Sequence, residues 1–165
     1  TLNESMLAAW DTLGESGVQF VWQTGKYYHE QITAQLRGRE LSNVHMCDFI
    51  SSMDAAYAAA DLVISRAGAG SISEFCLLGK AVILVPSPNV AEDHQTKNAL
   101  ALVDKEAALY VKDADAPSQL ITLALTDEEK LTQLRTNILT LAHHHAAEVI
   151  ADEVIALAMK YQDGK

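Results

Sequence analysis

The stretch "DLVISRAGAGSISEFCLLGKAVILVP", residues 61–86, decides the fold. Two short apolar runs, at 62–64 and 81–85, flank a segment in which apolar residues recur at helical spacing until Gly79. Continuous apolar runs separated by helices are typical of strands in a parallel sheet that is covered on both faces. The stretch therefore predicts a strand, a glycine-containing turn, a helix and a second strand.

The same alternation extends to both sides of this unit. β-rich runs at 18–23, 44–49 and 107–111 alternate with helical patterns, the first of which covers residues 2–13. After Asp113 only helical patterns remain, and Thr126 with Glu129 matches a capping box. We predict one domain over residues 1–165, an α/β Rossmann-like, doubly wound parallel sheet with a helical C-terminal tail.

The composition excludes several classes of function. A formal net charge of −10 argues against a surface that binds DNA or RNA through phosphate contacts. Cys47 and Cys76 lie in apolar segments without metal-ligand spacing, which indicates free thiols in a reducing cytosol. No apolar run approaches the roughly 18 to 20 residues of a membrane span. The sequence begins "TLNESML" without an initiator Met and without the features of a signal peptide. We therefore expect a soluble piece of a longer cytoplasmic chain.

The glycine turn has two interpretations. Gly68 and Gly70 stand between a predicted strand and a helix, where backbone N–H groups and the helix dipole favour a phosphate. Alternatively, the glycines only permit a positive φ in a tight turn. Glu74 is equally open, because it matches a capping box with Ser71, whereas a carboxylate one turn into this helix could accept hydrogen bonds from a ribose diol.

A second polar cluster, "PSPNVAEDHQTKNA" at residues 86–99, follows the next strand. Asp93, His94, Gln95 and Asn98 crowd the first turn of the helix that it opens. They either cap that helix and form its solvated face or supply donors and acceptors for a polar ligand such as a sugar. Because the carboxyl ends of parallel strands share one edge, the two clusters predict a single ligand site.

The sequence supports neither a metal site nor a cofactor. His143, His144 and His145 are adjacent, and successive helical residues point in different directions, so they cannot all face one ion. We interpret them as exposed side chains. No nucleophile–base arrangement or pair of carboxylates on strand ends is identifiable either, so a general base is not assigned.

The stretch at residues 59–99 closely resembles the donor-binding half of the bacterial MurG glycosyltransferase family. The resemblance rests on "RAGA", "SE", "DHQ" and "NA" in this order, with "TLNES" and "FI..M..AY..AD" upstream. It implies the C-terminal domain of a metal-independent, inverting GT-B enzyme with two Rossmann-like domains. Such enzymes transfer N-acetylglucosamine from UDP-GlcNAc to the lipid-linked muramyl pentapeptide, lipid I, and so make lipid II for peptidoglycan on the cytoplasmic face of the inner membrane. The acceptor-binding and membrane-associating domain, the general base and a glycine-rich turn before Thr1 are then expected outside this sequence, and the chain alone is expected to be inactive.

The resemblance also implies contacts with the nucleotide. Ile50 and Met53 would border the uracil, with the Ile50 backbone at the base edge, and Glu74 would hold the ribose hydroxyls. The diphosphate would lie at the helix entry, beside Gly68, Ala69, Gly70 and Ser71. Relatives often carry a larger side chain at the position of Gly70.

For the sugar, the resemblance implies that Gln95 binds the N-acetylglucosamine hydroxyls, with His94 and Asn98 beside it. Arg66 stays open, since it could assist the diphosphate or pair with a carboxylate at the sheet edge. Two other functions stay open as well. One is a donor-binding subunit similar to the eukaryotic Alg13 family, and the other is a non-catalytic nucleotide-sugar sensor on the same fold.

Overall fold

The computed structural model describes residues 1–89, 93–125 and 127–163. Its short strands are β1 (Phe20–Gln23), β2 (Val44–Cys47), β3 (Leu62–Ser65), β4 (Ala81–Leu84) and β5 (Leu109–Tyr110). The helices up to β5 are α1 (Leu2–Ala8), α2 (Trp10–Glu15), α3 (Lys26–Leu36), α4 (Met53–Ala59), α5 (Ala69–Leu78) and α6 (His94–Val103). After β5 and a short 3₁₀ turn come α7 (Ala116–Ala124), α8 (Glu128–Leu139) and α9 (Ala146–Asp163). The predicted α/β class with a helical tail is confirmed.

The strands form parallel pairs. β1 pairs with β2, with Phe20 opposite Val44. β4 pairs with β3 on one side and with β5 on the other, so that Ile83 faces Leu109. Within the described ranges these pairs make two hydrogen-bonded groups, β1–β2 and β3–β4–β5. All residues of β4 are buried, which explains why a central strand of this kind is a continuous apolar run.

Helices cover both faces of β4. Val82 and Leu84 pack in a core that α5, α6 and α8 cover, whereas Ile83 and Val85 pack in a second core on the α7 side. All four side chains are fully buried, and each contributes about 1.5 to 3 kcal/mol to folding through removal from water. This alternation of inward faces is the packing expected of a doubly wound sheet.

A third core joins β1 and β2 to the rest of the fold. Trp10 of α2 and Trp22 of β1 have ring centroids 6.2 Å apart. Both indole N–H groups are satisfied, because Trp10 donates to the carbonyl of Arg39 at 2.8 Å and Trp22 donates to Asn3 Oδ1 at 3.0 Å. Ile64 of β3 packs against this core and against the α7-side core. The two groups of strands therefore share apolar contacts.

The terminal helices differ in part from the sequence predictions. The predicted first helix is divided at Ala9, where φ is −97° and ψ is 16°, into α1 and α2. The predicted cap Thr126 lies outside the described residues, and α8 is capped by Asp127, whose carboxylate accepts the Lys130 N–H at 2.8 Å. Residues 146–161 of α9 are exposed. Among the described helices, none has the length and apolarity needed to cross a bilayer.

Candidate functional site

Arg66 joins the carboxyl ends of three neighbouring strands. It follows β3 directly, and its Nη1 donates to the carbonyls of Val85 at 3.0 Å and Pro86 at 3.2 Å, just beyond β4. The same guanidinium forms an ion pair with Asp113, which follows β5. Arg66 therefore pairs with a carboxylate at the sheet edge, as one of its two interpretations expects. The other interpretation, a contact with the diphosphate, stays a prediction.

Asp113 is ionised more readily than an ordinary aspartate. Partial burial opposes its charge, but hydrogen bonds from Arg66 and from Thr1 Oγ1, the latter at 2.7 Å, together with the positive charge of Arg66, outweigh burial and lower the pKa of this carboxyl. Asp113 was not predicted as a site residue, although its position two residues after a predicted strand was a usable signal. The ion pair lies immediately before the turn from which α5 begins.

Neither glycine of the turn is required by the backbone or by packing within the chain. Gly68 is the N-cap of α5 with φ −70°, and Gly70 lies inside the helix without a positive φ. A Cβ at Gly70 would meet no atom within 4 Å, and one at Gly68 would meet only Ser71 Oγ at 4.0 Å. The positive-φ interpretation is therefore wrong, and the space in front of the helix is open.

The N-terminus of α5 presents unsatisfied backbone donors. The first intrahelical bond runs from Ile72 N to Gly68 O at 3.0 Å, and no side chain caps the helix. The N–H groups of Ala69, Gly70 and Ser71 thus have no acceptor within α5. Donors of this kind, with the helix dipole behind them, suit an anionic ligand such as a phosphate.

Glu74 does not take part in a capping box. Because α5 begins at Ala69, Ser71 is the third helical residue and cannot be the cap. The side chain of Glu74 is exposed, and its Oε2 accepts a hydrogen bond from the Tyr57 hydroxyl at 3.2 Å. A carboxylate held on the exposed side of the helix remains available to a ligand.

Tyr57, on α4, is a second residue that the sequence analysis missed. Its ring meets the buried ring of Phe75 edge-on, with centroids 5.7 Å apart and planes at 86°. Burial raises the pKa of the Tyr57 hydroxyl, and the negative charge and hydrogen bond of Glu74 raise it further. The hydroxyl consequently stays protonated as a donor at neutral pH. A single aromatic residue in an alanine-rich helix was the available signal.

Two side-chain amides of the second cluster bind backbone groups, and one of them reaches the turn after β3. Gln95 Oε1 accepts the Ser87 N–H at 2.9 Å, and Asn98 Nδ2 donates to the buried carbonyl of Ala67 at 3.1 Å. Asp93 is the N-cap of α6, with φ 54°, but its side chain makes no capping bond. Gln95 and Asn98 are therefore more than a solvated helix face. His94 is exposed, and residues 90–92 of the predicted loop lie outside the described residues.

The residues predicted to border a base lie after β2. The Ile50 N–H donates to Gln23 Oε1 at 2.8 Å, and Gln23 is the last residue of β1. Met53 is the first residue of α4 and is half-buried. Since the Ile50 N–H already has an acceptor, its carbonyl is the backbone group left for a base edge. Nothing in the sequence pattern pointed to Gln23.

An open cavity of about 290 Å³ lies at the carboxyl ends of β4 and β5. Its walls come from the loop after β4, the start of α6 and the chain after β5, and they are formed by Pro86, Pro88, Asp93, Thr96, Tyr110, Lys112, Asp113 and Ala114. The cavity therefore flanks the predicted sugar-binding cluster, while Gln95 and Asn98 lie outside its walls.

The adjacent histidines precede α9 and are exposed. His145 Nδ1 lies 2.9 Å from Glu148 Oε2. In the part of the chain that the structure describes, no group of three His, Cys, Asp or Glu side chains is arranged to hold a metal ion. Cys47 and Cys76 are free thiols.

The open helix N-terminus at the carboxyl ends of parallel strands places this chain among the α/β domains that bind ligands at that edge of the sheet. Comparison with known proteins assigns the family. Residues 1–155 match the family model of the glycosyltransferase family 28 C-terminal domain, and the chain belongs to this family. The resemblance to MurG is confirmed as well. A Bacteroides thetaiotaomicron UDP-N-acetylglucosamine–N-acetylmuramyl-(pentapeptide) pyrophosphoryl-undecaprenol N-acetylglucosamine transferase is 60% identical over 163 residues, which cover 96% of this chain and 44% of that protein.

Solved structures agree with this assignment. The crystal structure of Acinetobacter baumannii MurG matches with a TM-score of 0.78 and 30% identity, covering 94% of this chain and 46% of that chain. The solution structure of ALG13 matches with a TM-score of 0.53 at 21% identity, over 76% of this chain and 80% of that chain, and this likeness shows the fold alone. The chain spans less than half the length of the transferase that it matches.

Proposed function

We propose that this chain is the donor-binding part of an inverting enzyme that transfers N-acetylglucosamine from UDP-GlcNAc to lipid I, giving lipid II for peptidoglycan. The curated relative carries this donor, acceptor and transfer in its name. The proposal includes a location on the cytoplasmic face of the bacterial inner membrane. It assigns acceptor binding, membrane contact and the general base to the part of the relatives that this chain does not match.

The observation that carries the proposal is the open entry of α5. Gly68, which neither the backbone nor internal packing requires, caps the helix without a side chain in front of the N–H groups of Ala69, Gly70 and Ser71. Glu74 lies one turn further on, with its carboxylate on the exposed side. A diphosphate at the helix N-terminus with a ribose beside Glu74 satisfies both features.

The remaining predicted residues extend this arrangement in two directions. Ile50 and Met53 border the uracil, with the Ile50 carbonyl at the base edge. In the other direction, Gln95, Asn98 and His94 receive the sugar. Gln95 already gives its Oε1 to Ser87, so its Nε2 is the group that donates to a sugar hydroxyl. Neither a metal ion nor a cofactor has a part in the proposed site.

Separate titrations with UDP and UDP-GlcNAc test the proposal. Wild-type chain is expected to bind both, and Gln95→Ala is expected to weaken UDP-GlcNAc by about 1 to 3 kcal/mol with little change for UDP, because the lost amide leaves sugar hydroxyls partly unpaired. Gln119→Ala, at an exposed position on α7, is the matched control. Isothermal titration calorimetry measures all the affinities.

Three results would contradict the proposal in different ways. Failure of the wild type to bind either ligand would remove the donor site altogether. Equal losses for both ligands in Gln95→Ala would leave the sugar unassigned. Tight binding of UDP-GlcNAc by this chain alone would instead favour a sensor, because half of a two-domain cleft should bind its donor weakly.

A further inference from the structure

We infer that Tyr57 is a positioning residue that holds the Glu74 carboxylate toward the ribose hydroxyls of a bound nucleotide. The inference rests on the proposed function and adds to it a residue from a different helix. Tyr57 lies on α4, whereas Glu74 and the glycine turn belong to α5. Its hydroxyl donates to Glu74 and its ring packs on Phe75, so its effect on a ligand passes through Glu74.

The hydroxyl of Tyr57 is itself held in place. The ring packs edge-on against Phe75, which is 1% exposed and belongs to the core under α5. Edge-to-face packing restricts both the position and the tilt of a ring. The hydroxyl at its tip therefore meets Glu74 Oε2, at 3.2 Å, from a fixed direction.

This contact matters because Glu74 is exposed. An exposed glutamate samples many rotamers, and a ligand that needs one of them must overcome that loss of freedom. With Oε2 anchored on Tyr57, Oε1 and the remaining lone pair of Oε2 are left as acceptors. Two vicinal hydroxyls, such as those of a ribose, match two adjacent carboxylate acceptors.

A structural role makes different predictions. If the hydrogen bond only ties α4 to α5, removing the hydroxyl would lower the melting temperature and leave ligand affinity unchanged. If it orients Glu74, the loss would appear in affinity, and only for ligands that carry the ribose hydroxyls. The substitution Tyr57→Phe separates these roles, because it deletes the hydroxyl while its ring can stay against Phe75.

The experiment measures the affinities of UDP and 2′,3′-dideoxy-UDP for the chain by ligand titration followed by NMR. For Tyr57→Phe we expect UDP to bind about 3- to 10-fold more weakly and the dideoxy analogue to bind as it does to wild type. In a Glu74→Ala background the same substitution should have no further effect on UDP. Tyr27→Phe, whose side chain is 87% exposed on α3, is the control and should bind UDP like wild type.

The ratio of the two affinities does not depend on the folded fraction, so a loss of stability in Tyr57→Phe cannot imitate the result. Unchanged UDP affinity in Tyr57→Phe, or equal weakening of UDP and its dideoxy analogue, overturns the inference while the donor site stands. A full effect of Tyr57→Phe in the Glu74→Ala background overturns it too. Wild-type chain that binds no UDP overturns the proposed function, and this inference with it.

Discussion

Replacing Asp113 by asparagine tests whether the ion pair with Arg66 holds the strand ends together. The Arg66 side chain is 32% exposed and the Asp113 side chain 18%, so the pair lies between a surface ion pair and a buried one. We expect Asp113→Asn to destabilise the chain by about 1 to 3 kcal/mol at pH 7, since a partly buried guanidinium loses its counter-ion. For a chain of this length, that corresponds to a fall in melting temperature of about 3 to 9 °C.

The same prediction fixes a pH dependence. The pKa of Asp113 in the folded chain lies below its usual value of 3.8, so the ionised carboxylate stabilises the fold above that pH and the stabilisation is lost as pH falls through the folded pKa. The difference between the melting temperatures of wild type and variant, followed by circular dichroism from pH 7 to pH 3, should therefore narrow as the pH falls below 3.8. Asp115→Asn, at an exposed position two residues on, is the control. A difference below about 1 °C at pH 7, or one that is unchanged at pH 3, would refute the reasoning.

Two further predictions concern glycines. Gly70→Ala should raise the free energy of unfolding by about 0.5 to 1 kcal/mol, because its Cβ enters open space within a helix, and it should leave UDP binding intact. Gly68→Ala should weaken UDP binding and lower the free energy of unfolding by about 0.5 kcal/mol. Titrations and thermal melts of this pair check both, and equal UDP affinities would argue against close approach of a phosphate at Gly68. Gly79→Ala should destabilise by about 1 to 2 kcal/mol, since φ is 61° there and the new Cβ would lie 2.8 Å from the Leu139 side chain. Urea unfolding measures this loss, and a stability equal to wild type would contradict the expected strain.

The central strand was predictable because a strand that is buried on both faces consists of apolar residues alone. Residues 81–84 are apolar at every position, and the structure buries them on both faces. The ends of helices were harder to predict, as the division of the first helix at Ala9 shows. That break has no glycine or proline to signal it, so an apolar period that continues across the break predicts one helix.

The candidate site was predictable in its location and less so in its contacts. The pattern of Ser71 and Glu74 was misleading, because the same spacing can occur inside a helix as well as at its start. Helix α5 begins at Ala69, two residues before Ser71. The partners of Arg66 and Glu74 come from other elements, Asp113 from beyond β5 and Tyr57 from α4. Spacing along a chain carries no information on contacts that the packing of separate elements creates.

The hydrogen bond from Asn98 to the Ala67 carbonyl connects α6 with the turn after β3. Gln95, also on α6, extends this connection to the loop after β4 by accepting the Ser87 N–H. Segments connected in this way lose their conformational freedom together, so ordering one of them leaves little entropy to be lost by the other. A ligand whose two ends contact both segments gains more affinity than the two ends gain separately, and each end strengthens the binding of the other by the same factor.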